Sequence, residues 1–220
     1  ASGGNYNVVV GDEAGTAIST GDENVFMGYK AGQAVSTGSA NVAIGNEALH
    51  TEDGHGKNVA VGLQSLYTLN AGADAYNTAV GHQSGKLITT GVQNTLIGGL
   101  AGDEINSASN NTAVGYQALT RTTTGANNVA VGANASWGNT SGANNISVGV
   151  QALNASSTGS QNVGIGYQAL YTNTTASYNS AIGHHSLLLN TTGSENAGFG
   201  SFSLQANTTG GSNTAVGYQA

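Results

Sequence analysis

Along this chain an Asn is followed three places later by an apolar residue and four places later by Gly, thirteen times from Asn7/Gly11 to Asn213/Gly217. Eleven of the twelve steps between successive Asn residues are 17 residues; the step from Asn58 to Asn77 is 19, which puts an insertion within residues 69–76. A period in this range is the mark of a repeat architecture, in which each unit buries its apolar face only against its neighbours. Counting each repeat from its Asn, place four is always apolar, as at Val10, Ile44, Val114 and Val216, and place eight is always Ala or Ser. Place fifteen is Gly in nine of twelve repeats, usually after a Ser/Thr pair such as Thr191-Thr192-Gly193. The pattern predicts one coil per repeat: a short strand at places two to four, a Gly turn, a second short strand, and a Thr-Thr-Gly turn. It follows the coil period and not 3.6 residues, so helix content is expected to be close to nil.

The expected fold is all-β: a repetitive parallel β-roll or β-solenoid with about 17 residues per coil, running as a single array through residues 1–220. At ~4.7 Å per coil the twelve repeats predict a rod of about 56 Å. Gly at place five is expected at positive φ, where a Cβ is strained. Place four is expected to point inward as a continuous apolar column, and the Asn at place one to stack on its copies as in cross-β Asn ladders. Places nine and twelve compensate. Where place nine is Gly (Gly15, Gly32, Gly85, Gly102), place twelve is Ile or Val; where it is Leu (Leu49, Leu119, Leu153, Leu170, Leu187, Leu204), place twelve is polar. Leu66 with Leu69 departs from this beside the insertion, and Trp137 is expected to fill the space left by Ser136. Place three, often Ala as at Ala113 and Ala130, is expected to face outward and form the contact between chains.

Composition sharpens this picture. Gly is 35 of 220 residues, Pro and Cys are absent, and charged residues are 7% against the ~25% of ordinary soluble domains. Only Lys30, Lys57, Lys86 and Arg121 are basic in a chain of net charge −7, which argues against a nucleic-acid surface. No apolar run approaches the ~18 residues of a spanning helix. The chain begins and ends within a repeat, so a fragment of a longer chain is expected.

Candidate chemistry is sparse. His82 and His184 share place six but lie six coils apart, and His184-His185 are expected on opposite faces of a strand. The acidic pairs Asp12-Glu13, Asp22-Glu23, Glu52-Asp53 and Asp103-Glu104 do not recur in register and are read as solvated turns, because calcium needs six to eight converging oxygens. Tyr29, Tyr116, Tyr167 and Tyr218 share place six and are read as surface packing before sugar stacking. The Asn-x-Ser/Thr triplets follow from composition. No nucleophile, base and orienting group recur together, so no catalytic residue, cofactor or metal site is expected.

The block N-[VT]-A-[VI]-G-x-x-A, clearest at Asn41–Ala48, Asn58–Ser65, Asn111–Ala118 and Asn128–Ala135, resembles the head repeats of trimeric autotransporter adhesins. The longer unit NTAVGYQAL…TTG, at Asn111–Gly125 and restarting at Asn213, is similar to phage tail-fibre repeats. The adhesin repeat is shorter than this one, and residues 1–220 hold repeats alone, from which assembly and attachment are not read. The resemblance implies three parallel rolls side by side and hence a homotrimer. The expected function is the structural shaft of a homotrimeric virion tail fibre supporting host attachment. Its partners would be its own copies, other fibre or virion proteins and a cell-surface glycan or protein receptor. The alternative is a cell-surface trimeric adhesin head; an ice- or polysaccharide-binding solenoid ranks third.

Overall fold

In the computed structural model, which describes residues 4–220, the chain is all-β and no described residue is helical. Two compact units divide it, Ala1–Asn110 and Asn111–Ala220. The first holds β1 (Val8–Val10), β2 (Val25–Met27), β3 (Val42–Ile44), β4 (Val59–Val61), β5 (Thr78–Val80) and β6 (Thr95–Ile97). The second holds β7 (Thr112–Val114), β8 (Val129–Val131), β9 (Ile146–Val148), β10 (Val163–Ile165), β11 (Ser180–Ile182), β12 (Ala197–Phe199) and β13 (Thr214–Val216). Within each unit every strand pairs in parallel with the next, place upon place, so Val42 lies against Val59 and Val129 against Ile146. The longer step keeps the same register, with Val59 opposite Thr78. Its two extra residues are absorbed outside the strands. The architecture is a parallel β-solenoid, one coil per repeat.

Each coil carries one strand, not two. The stretch expected as a second strand is a run of turns, because its backbone is left-handed at places seven and nine: φ is 52° at Gln64 and 49° at Leu66, and 55° at Gln117 and 51° at Leu119. Place seventeen is left-handed as well, as at Glu23 (60°) and Asn127 (59°). Each such residue costs roughly 1–2 kcal/mol. Hydrogen bonds between coils offset this: Gln64 N–H donates to the Asn46 carbonyl at 2.9 Å and Leu66 N–H to the Ser84 carbonyl at 3.1 Å. At place five only Gly fits. Gly115 has φ 138°, and a Cβ there would stand 2.6 Å from the Gly132 carbonyl oxygen.

The faces of the strand are the reverse of the sequence expectation. Place three points inward: Phe26, Ala43, Ala60, Ala79, Leu96, Ala113, Ala130 and Ala181 have no exposed surface. Place four points outward, with Met27 45%, Ile97 42% and Val131 36% exposed. Ala113 and Ala130 are therefore core residues and no part of a chain contact. The physical reason is the narrow bore. Places three, eight, nine, twelve and fifteen all converge on the axis, so only a small residue fits at place three unless place nine gives way.

That exchange is visible in the packing. Where place three is Val9, Phe26 or Leu96, place nine of the same coil is Gly15, Gly32 or Gly102. A Cβ on Gly32 would lie 2.7 Å from the Phe26 ring, and one on Gly102 would lie 2.9 Å from Leu96 Cδ2. Where place nine is Leu, place three is Ala, Ser or Gly, and Leu153, Leu170 and Leu187 pack with Ala169 and Ala181 as one core cluster. Trp137 does not fill the space beside Ser136. It is half-buried at place ten under the Arg121 guanidinium, 4.9 Å from its ring, while the Ser136 hydroxyl donates to Ser147 Oγ at 2.9 Å.

Two columns of buried amides hold the coils in register. At place one the expected Asn ladder is present: Asn41 N–H donates to Asn24 Oδ1 at 2.9 Å, and Asn145 N–H to Asn128 Oδ1 at 3.0 Å. Each Nδ2 also donates to a turn carbonyl, as Asn145 does to Gly159 at 2.8 Å. The second column, at place twelve of the second unit, is fully buried at Asn173 and Asn190. There Asn190 Nδ2 donates to Asn173 Oδ1 at 3.1 Å, and Asn207 Nδ2 to Asn190 Oδ1 at 3.0 Å.

Candidate interaction surface

Because alternate residues of a strand face opposite ways, an inward place three sends places two and four outward together. Place two is mostly Val, Ile or Thr, and place four is Val, Ile, Met or Phe in every coil. In the second unit Val129 and Val131 are each 36% exposed, Ile146 40% and Ile182 41%. Each unit thus carries a stripe of branched apolar side chains on the outer face of its strands. Patches beyond roughly a few hundred Å² of apolar surface usually mark an interaction site. A stripe renewed at every coil grows past that scale as coils are added.

The residues singled out in the sequence fall elsewhere. Tyr29, Tyr116, Tyr167 and Tyr218 are exposed at place six. In the second unit Tyr167 begins a row of rings. His184 stacks on it with centroids 5.4 Å apart, Phe202 meets His184 edge-on at 5.1 Å, and Tyr218 meets Phe202 edge-on at 5.8 Å. His184 and His185 are not on opposite faces; their ring centroids are 3.9 Å apart. The cause is the left-handed place seven, where His185 has φ 56° and its ring is turned back beside its neighbour's. Partial burial, with the adjacent His184, pulls the His185 imidazole below its ordinary pKa. His82, at place six of the first unit, is exposed.

The Thr column at place thirteen is committed to the fold. Thr140 Oγ1 donates to the Ser157 carbonyl at 2.9 Å and Thr191 Oγ1 to the Thr208 carbonyl at 2.9 Å. Hydroxyls used between coils are poor candidates for an ordered-water or ice face.

Of the acidic pairs, Asp12-Glu13 lies in a solvated turn as expected, with Glu13 accepting from Gln33 Nε2 at 2.7 Å. Two others depart from that reading. Asp103 is partly buried with Oδ1 unpartnered, and burial, helped by the neighbouring Glu104 charge, pushes its carboxyl up to about 6. Glu52 is fully buried at place twelve, and burial raises its carboxyl too. Its Oε1 accepts from the His55 N–H at 3.1 Å and lies 3.3 Å from His55 Nδ1. Place twelve is apolar in the other coils of this unit, but the Leu at place nine makes a polar, solvated residue the natural reading of Glu52; the coil geometry puts it inside.

Comparison with family models, with curated proteins and with solved structures finds no match to this chain. The fold defines a class, the parallel β-solenoids, and the outward apolar stripe is the feature of its surface that a structural or binding role must explain. Among the described residues no helix is long and apolar enough to cross a membrane.

Proposed function

We propose that this chain is a segment of the shaft of a homotrimeric virion tail fibre, a structural element that carries an attachment tip towards a host surface and performs no catalysis. The observation that supports it is the outward stripe. Place four is apolar in all thirteen copies although it lies outside the coil, and a residue kept apolar without serving its own coil's core is kept for another surface. Copies of the same chain fit that surface, because each presents the same stripe at the same rise per coil. Three rolls meeting along their strand faces bury places two and four and leave the tyrosines of place six and the Thr turns at the periphery. The sequence resemblance favours three chains over two.

The second reading is a cell-surface trimeric adhesin head that binds a glycan or protein ligand on its flank. The row Tyr167–His184–Phe202–Tyr218 favours it, since an exposed aromatic row is a contact surface in its own right. Electron microscopy of the source particles labelled with an antibody against this chain separates the two. Label along a thin appendage of a virion supports the shaft, label over a cell envelope supports the adhesin, and label confined to the cell interior refutes both.

A further inference from the structure

The turn at residues 52–56 is unlike the other turns of the chain. Where most coils have a Ser/Thr pair at places thirteen and fourteen, this one reads Glu52-Asp53-Gly54-His55-Gly56, and it lies against the coil that carries the two extra residues. Glu52 is the only charged residue at place twelve. The place-twelve residues of the coils on either side, Val35 and Leu69, are fully buried and apolar. Glu52 Oε1 faces the His55 ring, and its Oε2 accepts only a long hydrogen bond, from the Ala71 N–H at 3.4 Å. Ligating atoms of Glu52, Asp53 and His55 all lie within 4.8 Å of one another. The separation of Glu52 Oε1 and His55 Nδ1, 3.3 Å, equals the edge of a tetrahedron with centre-to-corner bonds of ~2.0–2.1 Å, the bond length of zinc to imidazole and carboxylate.

We propose that Glu52, Asp53 and His55 form a binding site for a divalent transition metal of the zinc class, one that staples this irregular turn. Glu52 and His55 supply two corners of the tetrahedron. Asp53 supplies a third: its backbone is fixed by its carbonyl, which accepts from Ser36 N–H at 2.6 Å, while its side chain is exposed and free to turn inward. Water takes the fourth. Gly54 and Gly56 let the chain fold around the ion, and the space at Gly54 is open apart from Thr37 Oγ1 at 3.5 Å. The nearby Lys57 does not compete, since its ammonium is held by Asp74 at 2.7 Å and by the Tyr76 hydroxyl at 3.0 Å. One imidazole nitrogen and two carboxylates are too few ligands for calcium, which takes six to eight, all oxygens, and the imidazole favours the zinc class.

The test uses the whole chain, freed of metal with a chelator and titrated with zinc chloride by calorimetry and with cobalt chloride by visible absorption. The site predicts one equivalent bound per chain, the intense absorption of four-coordinate cobalt, and a melting temperature that rises with zinc. His55→Gln and Asp53→Asn, both at positions reached by solvent, should keep the circular dichroism of the parent and lose the one-equivalent binding. The double variant His184→Gln, His185→Gln should keep it. Absence of binding to the parent, or binding that survives His55→Gln, overturns the proposal. So does binding lost only when His184 and His185 are replaced.

Discussion

The two units close the same coil with different chemistry. Residues 4–110 contain ten of the eleven acidic residues and three of the four basic ones, and with them the whole net charge of −7; residues 111–220 contain only Arg121 and Glu195. In the first unit place twelve is apolar in every coil but one, at Ile18, Val35, Leu69, Ile88 and Ile105, and place nine is Gly in four coils. In the second unit place nine is Leu in every complete coil except at Ser136, and place twelve is Thr, Ser or Asn. Four coils of the first unit fill the bore with a large side chain from place three or twelve; the second unit, like the Leu49 and Leu66 coils, fills it from place nine and runs a hydrogen-bonded amide column beside it. What is held constant is the occupied volume and the pairing of polar groups, not the residue type. Close packing demands the first and the cost of an orphaned buried amide the second.

The largest effect that sharpens this contrast is expected in the second unit. Leu153→Ala removes the place-nine side chain where place three is only Ser147, so nothing can fill the gap. It should cost about 2–5 kcal/mol, read from denaturant unfolding. In the first unit the danger is excess. Gly102→Leu suits the backbone, because Leu119 holds the same place at φ 51°. Its Cβ, however, would stand 2.7 Å from Ile105 Cδ1. It should cost about 1–3 kcal/mol, and the added changes Leu96→Ala and Ile105→Asn should recover much of the loss by turning the coil into the other kind. If they do not, the exchange of volume between places three, nine and twelve is wrong.

A smaller effect of opposite sign is expected at Ser156. The place-twelve column breaks there: Asn139 Oδ1 and Ser156 Oγ are both buried without a partner, because the serine is too short to reach. Ser156→Asn should join Asn139 to Asn173 and stabilise the second unit by about 1 kcal/mol, seen as a higher unfolding midpoint. Asp103 gives a pH-dependent test of the first unit. Its carboxyl is raised in the fold from 3.8 to about 6, so the folded chain binds more protons than the unfolded one between those values. This group therefore lowers stability as pH rises through that window, with the loss complete above it. Asp103→Asn should melt higher than the parent at pH 7 and no higher near pH 3.5. An equal difference at both pH values would mean that the charge is not the cause.

Much of this fold was legible in the residues. The period, the all-β class, the place-five Gly and the Asn ladder follow from positions that recur with little variation. The exchange between places nine and twelve was also there to be read. The facing of the strand was not, because Val or Ile at place four looks more core-like than Ala at place three. The signal that corrects it is the covariation of Phe26 and Leu96 with Gly32 and Gly102, which only a residue sharing the bore would show. The missing second strand had no signal, since Gln, Leu and Tyr at places seven, nine and seventeen have no intrinsic taste for a left-handed backbone; the coil imposes it. The same is true of the His184–His185 pair, whose placement depends on the reversal at His185.

The inverted facing and the role assigned to the outward stripe can be tested together by native mass measurement of the parent chain beside two double variants. The parent is expected to be a trimer. Val114→Glu with Val131→Glu should give a folded single chain with the parent's β-type circular dichroism, because the outer charges spoil only the contact between copies. Ala113→Glu with Ala130→Glu should unfold the coils themselves, because those charges enter the bore. A parent that is a single chain, or a Val114/Val131 variant that assembles like the parent, would mean that the outward stripe is not the contact between copies.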